Sequence, residues 1–142
     1  MRTSANPRAI ATLLLTTIGF VSIAHARPQT IATMRDHRRI ILIAAPQKND
    51  PQTAAQNAIL SHWTKEAAER DISVITIAGT TVTGTADKAA TLRRRYRLKP
   101  DRFQVLLIGK DGHVAMTSAH PIASEQLQDT IDAMPMRRAG QP

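Results

Sequence analysis

The sequence predicts an α/β domain built on a central mixed sheet, and three observations carry that prediction. Two apolar runs of strand length, "RIILIAA" (39–45) and "ISVITIA" (72–78), are separated by a segment with helical periodicity. Two more strand-like runs, "FQVLLIG" (103–109) and "HVAMTS" (113–118), flank Lys110-Asp111-Gly112, a hairpin signal. A strand–helix–strand unit makes a parallel pair through a right-handed crossover, and a hairpin adds an antiparallel edge. The expected order is β-α-β-α-β-β-α: four strands in one mixed sheet, with helices on both faces.

Each element has a local cause. The run 39–45 is continuously apolar, the pattern of a strand covered on both sides. Asp50-Pro51 reads as an N-cap followed by proline at the first helical position, where its missing N–H costs nothing. That helix is expected to reach about Arg70, with Ala55, Ile59, Trp63 and Ala67, beside Leu60, turned to the core. The β-branched residues of 72–78 favour a strand, and "GTTVTGT" (79–85) is expected to be a loop. A second helix is expected over Ala86–Leu98, with Ala89, Leu92 and Tyr96 inward, ended by Lys99-Pro100 because the residue before proline avoids the helical region. Ser124 is expected to cap a last helix carrying Leu127, Ile131 and Met134 inward and stopping near Pro135.

The N-terminal segment has the three parts of a secretory signal: the basic start "MRTSANPR", the apolar run "AIATLLLTTIGFVSIA" and the small-x-small site "AHA". The run is short for a membrane span, which wants about 20 predominantly apolar residues, and it carries Thr12, Thr16, Thr17 and Gly19. Cleavage after Ala26 is therefore expected, giving 1–26 as signal, 27–37 as a flexible lead-in, 38–135 as the folded domain and 136–142 as a disordered tail. Loss of Arg2 and Arg8 lowers the basic count from 19 to 17 against 11 acids, a formal net charge of +6. The expected location is outside the cytoplasm, secreted or, in a double-membrane cell, periplasmic. Export permits disulfides, yet the chain has no cysteine. Thiol chemistry, Cys-ligated zinc, iron–sulfur clusters and a lipid-modified cysteine are all excluded. With 3% aromatics the core must be mostly Ile, Leu, Val and Ala.

Four stretches in order, "MRDHRRIILIAAP", "LRRRYRL", "FQVLLIGKDGHV" and "IDAMPMRR", carry a resemblance across Met34–Arg138. The chain resembles a thioredoxin- or peroxiredoxin-like domain family of unknown function. That family occurs in small exported bacterial proteins and in secreted vertebrate proteins with sushi repeats or coiled-coil segments. The resemblance implies a thioredoxin-like fold, and the family has no established activity. In thioredoxins the first core strand leads into Cys-x-Pro-Cys; here Asn49-Asp50-Pro51-Gln52 takes that place, so amides stand where the sulfurs would be. An amide cannot supply the thiolate that attacks a disulfide. The cis-proline that precedes the third strand in thioredoxins is also missing, with Phe103-Gln104 in its place and Pro100 too early.

Two candidate surfaces follow. One is the vestigial active-site end: Gln47, Lys48, Asn49, Asp50, Gln52, Phe103 and Gln104. Open α/β sheets bind ligands at the carboxyl ends of their strands, and a helix N-terminus there suits an anion. A plain cap and loop is the commoner arrangement, and Asp50 already fills the anion's role. The other surface is a basic face of Arg93, Arg94, Arg95, Arg97 and Arg102, whose forks suit carboxylates, phosphates and sulfates. Its bland counterpart is a solvated helix face with cations near the C-terminus. The histidines His37, His62, His113 and His120 have no ligand spacing, and no serine sits in a G-x-S-x-G context. No metal or cofactor is expected.

The expected function is an exported, non-catalytic binding module, with no enzyme activity. The alternatives are a basic-face adaptor for an anionic polymer, lipid surface or acidic protein, and, with only kinship behind it, a non-thiol oxidoreductase. The partner would be a protein or anionic polymer of the exported compartment. Nucleic acid is not expected, since there is no reading motif and few aromatics for stacking.

Overall fold

The computed structural model describes residues 29–140; the expected signal segment lies outside them. The central strand β1 (Arg39–Ala45) is buried along its whole length. It pairs in parallel with β2 (Ile72–Ala78), from Arg39↔Ile72 to Ala45↔Ala78. On its other side it pairs antiparallel with β4 (Gln104–Ile108), from Ile40↔Ile108 to Ala44↔Gln104. The strand β5 (Val114–Ser118) continues antiparallel beyond β4. This is the mixed α/β architecture expected, and it is compatible with a thioredoxin-like fold.

The sheet has five strands rather than four, in the order β3-β2-β1-β4-β5. The extra edge strand, β3 (Thr81–Thr83), lies in the segment expected to be a loop. Gly79 adopts a φ of +61°, which opens a two-residue hairpin turn and sets Ala78 opposite Thr81. The β-branched Thr81, Val82 and Thr83 then extend along β2.

Because side chains alternate along a strand, β1 feeds two cores. Ile40, Leu42 and Ala44 pack with Ile75, Ile77, Leu106 and Ile108 under α1 (Ile31–Met34) and α4 (Ala89–Arg95). Ile41, Ile43 and Ala45 pack with Trp63, Phe103, Val105 and Leu107, and with Leu127 and Ile131 of α5 (Ser124–Asp132).

Several boundaries depart from expectation for identifiable reasons. The lead-in is not mobile throughout: Ile31 and Met34 are buried, and the backbone N–H of Ile31 donates to Asp87. The first long helix is two, α2 (Pro51–Ser61) and α3 (Thr64–Glu69), broken at His62-Trp63. Its inner face is Thr53 and Gln56 with Leu60, Trp63 and Ala67, while Ala55 is exposed. The rotation follows from Gln56, which is fully buried and binds both backbone groups of Ile122: Nε2 donates to the carbonyl at 3.1 Å and Oε1 accepts from the N–H at 2.7 Å.

The helix α4 is shorter than expected because Arg97 turns left-handed at φ +53°. Leu98 N–H then donates to the Arg93 carbonyl and Arg97 N–H to that of Arg94, a Schellman ending with arginine in the usual glycine position. Ser124 is the first residue of α5 rather than its cap, which is Ala123. The segment expected to be a disordered tail begins as one more helical turn, α6 (Pro135–Arg138).

Candidate functional site

The carboxyl end of β1 is where the first candidate surface gathers. Gln47, Lys48 and Asn49 are exposed on the loop after the strand. Asp50 caps α2, its Oδ1 accepting from the N–H of Gln52 at 3.0 Å and of Thr53 at 3.1 Å. Those are the N–H groups an anion would otherwise claim. Sheet register brings Gln104 opposite Ala44, to the same end. Its Oε1 is taken by the Lys99 N–H at 2.7 Å. Phe103 does not join the surface; it is buried in the core beneath α2 and α5.

Arg93 joins this end instead of the basic face. Its Nη2 donates to the carbonyls of Ala45 at 2.9 Å and Gly79 at 3.2 Å, and its Nη1 to that of Lys99 at 3.1 Å. One guanidinium thus ties together the ends of β1, the β2–β3 turn and the chain after α4. Burial pushes its pKa below the ordinary arginine value. It also lines a cavity of about 340 Å³ with Pro46, Gly79 and Pro100. The remaining candidates of the basic face, Arg94, Arg95, Arg97 and Arg102, are exposed. Arg95 lies over the Tyr96 ring, and Arg102 pairs with Asp101. This end of the sheet therefore offers polar loop residues and a structural cation, with no thiol.

The opposite end of the sheet holds a charge network that sequence reasoning missed. Arg70, buried, grips Asp132 through Nε at 3.1 Å and Nη2 at 2.8 Å, and Arg137 reaches the same carboxylate at 3.4 Å. Lys110 Nζ donates to Asp71 at 2.8 Å, and Arg38 stands 4.0 Å from the other oxygen. Arg39, 1% exposed, donates from Nη1 to the Arg70 carbonyl at 2.9 Å. Its Nε is buried and has no partner among the described residues. Desolvation, with Arg137 next in weight, lowers the Arg39 pKa. The only sequence signal was an arginine opening an apolar run in register with Ile41 and Ile43.

The Lys110 hydrogen bond holds the Asp71 carboxyl below its usual pKa, and the Arg70 hydrogen bond does the same for Asp132. Carboxylates with depressed folded-state values stabilise the fold above their unfolded pKa of about 3.9 and lose that contribution as pH falls through the folded value. Urea midpoints are accordingly expected to decline from about pH 5 downward. Asp71→Asn and Asp132→Asn should each lower the neutral-pH midpoint and flatten that acid limb.

Among the described residues, no group of three His, Asp or Glu side chains could hold a metal ion. His37, His62, His113 and His120 are all exposed. No helix of the described residues is long and apolar enough to cross a membrane.

Fold and site together define a small mixed α/β module whose strand-to-helix corner carries no cysteine. The chain belongs to the family described as "Domain of unknown function (DUF4174)", whose pattern matches residues 30–140. It is 29% identical to coiled-coil domain-containing protein 80 of Danio rerio across 76% of this chain, and spans 15% of that relative's length. Among solved structures, one described as "Structure of a malarial protein" is similar at a TM-score of 0.48 and 17% identity, over 67% of this chain and 94% of that one.

Proposed function

We propose that this chain is an exported, non-catalytic module of thioredoxin-like descent that acts by binding. The observation that supports this most is the state of the strand-to-helix corner. The helix N–H groups that would stabilise a thiolate are spent on Asp50, and the chain has no cysteine to place there. The N-terminal pattern "MRTSANPR–AIATLLLTTIGFVSIA–AHA" supports export, with maturation after Ala26.

Purified, metal-free protein tests the non-catalytic part. Reduction of a model disulfide and consumption of hydrogen peroxide should both proceed at the rate of buffer. Turnover proportional to protein concentration would overturn the proposal. Intact-mass measurement on chain recovered from the exported fraction tests the rest, with Arg27 expected as the first residue.

A further inference from the structure

At the amino end of β1, under the turn from α5 to α6, lies a cavity of about 350 Å³. That is near the lower end of the range for small-molecule pockets, about 300–1,000 Å³. Its walls are largely apolar, including Ala115, Met134, Pro135 and Met136, and Arg39 lines it from the sheet. We propose that this cavity binds a small amphiphile with one oxyanion headgroup, seated on the Arg39 guanidinium with its apolar body against the methionines of the α5–α6 turn. This rests on the reading of the chain as a binding module and names a ligand class for it.

Four observations carry the inference. A buried guanidinium nitrogen without a partner is costly, because its lost hydration is not replaced. Arg39 Nε is in that state, while only Nη1 holds a protein acceptor. An oxyanion can fill the empty donors in the bidentate geometry that arginine favours.

The charge beside the cavity is mostly cationic. Arg38, Arg39, Arg70 and Arg137 gather about Asp71 and Asp132, and both carboxylates are already engaged, by Lys110 and by Arg70 with Arg137. The one acid on the cavity rim, Asp111, is turned to its own hairpin. There it accepts from the His113 N–H at 3.0 Å and stands 3.3 Å from the His113 ring.

Finally, methionine adapts its shape to irregular apolar bodies, and Met136 is among the few large apolar side chains left exposed. A polyanion is disfavoured, since among the described residues lining this mostly apolar cavity Arg39 alone has an unfilled buried donor.

Titration of the ¹⁵N-labelled full chain tests this with octanoate, octyl sulfate, octanol and inorganic phosphate. The two amphiphilic anions should shift the amides of Arg39, Gly109, Lys110 and residues 134–136. Octanol, which lacks the charge, and phosphate, which lacks the body, should each bind at least about tenfold more weakly. A preference between octanoate and octyl sulfate would say whether the native headgroup is a carboxylate or a sulfate or phosphate.

Arg39→Met should abolish the preference for octanoate over octanol. If that variant does not fold, Met136→Glu, at an exposed wall position, should weaken octanoate by about tenfold or more through like-charge repulsion. Equal binding of octanoate and octanol, shifts centred elsewhere, or no binding at millimolar concentration would overturn the proposal. Those failures would leave the non-catalytic reading standing. Disulfide or peroxide turnover would remove that reading and leave the cavity's preference as measured.

Discussion

Gln56→Leu is expected to destabilise the domain by about 3–5 kcal/mol, a large effect for a single polar replacement. The substitution is close to isosteric, so it opens little space. What it removes is the only side-chain partner, among the described residues, of both the N–H and the C=O of Ile122, which is itself buried. Leaving a buried donor or acceptor unpaired costs about 1–3 kcal/mol each, and here two are orphaned together. Ile122 leads into α5, so the same bond pair fixes how that helix enters the core beside α2. Urea unfolding should show a lower midpoint with an unchanged slope. Gln56→Glu should be at least as harmful at neutral pH, because a fully buried carboxylate loses its hydration and faces the Ile122 carbonyl, and it should recover in acid, where the protonated carboxyl can donate.

Arg93→Met should cost about 2–3 kcal/mol, since hydrogen bonds from a charged donor contribute about 1.5–3 kcal/mol when buried and less at a half-buried site. Its three acceptors belong to three separate segments, at Ala45, Gly79 and Lys99. Removing it loosens the whole carboxyl end of the sheet rather than one contact. Arg93→Lys should restore little, because an ammonium is a point charge and cannot span the fork. Arg94→Ala and Arg95→Ala should stay within about 0.5 kcal/mol of the parent, as exposed positions usually do. Thermal and urea unfolding of the four variants would separate one structural arginine from its solvated neighbours, which composition alone presents as a single basic run.

The contrast between Arg93 and Arg94 shows how far local sequence reaches. The strand 39–45 was legible because a run covered on both faces is apolar at successive positions, here every one after Arg39, and no other element of this length looks the same. The strand 72–78 and the 110–112 hairpin followed from β-branched content and turn chemistry. By contrast, Gln56 finds its partner 66 residues away and Arg39 finds one 31 residues away. Glutamine and arginine are ordinary surface residues in any window that contains them, so periodicity placed Leu60, Trp63 and Ala67 inward but put Ala55 where Thr53 and Gln56 are buried. The short strand β3 escaped for another reason. Its three residues lie in a Gly- and Thr-rich segment, and only the positive φ at Gly79 folds them back onto β2.

The candidate site was half legible. The loop 47–49, Asp50 and Gln104 do share one end of the sheet, as the strand-to-helix corner implied. Phe103 went to the core because the residue before Gln104 faces the Trp63 side of the sheet. The amino-end cavity, beside the partnerless Nε of buried Arg39, had no motif to announce it. It arises from the meeting of β1, the β4–β5 hairpin and the α5–α6 turn, three regions far apart in the chain.

The proposed thioredoxin-like frame puts Asn49 and Gln52 where the sulfurs would be. The most direct measurement is the oxidation state of an Asn49→Cys, Gln52→Cys double variant. The frame predicts that mild oxidant joins the two cysteines in an intramolecular disulfide, seen as the loss of two free thiols in a folded monomer. Two thiols that both remain titratable in the folded, oxidant-treated protein would contradict it.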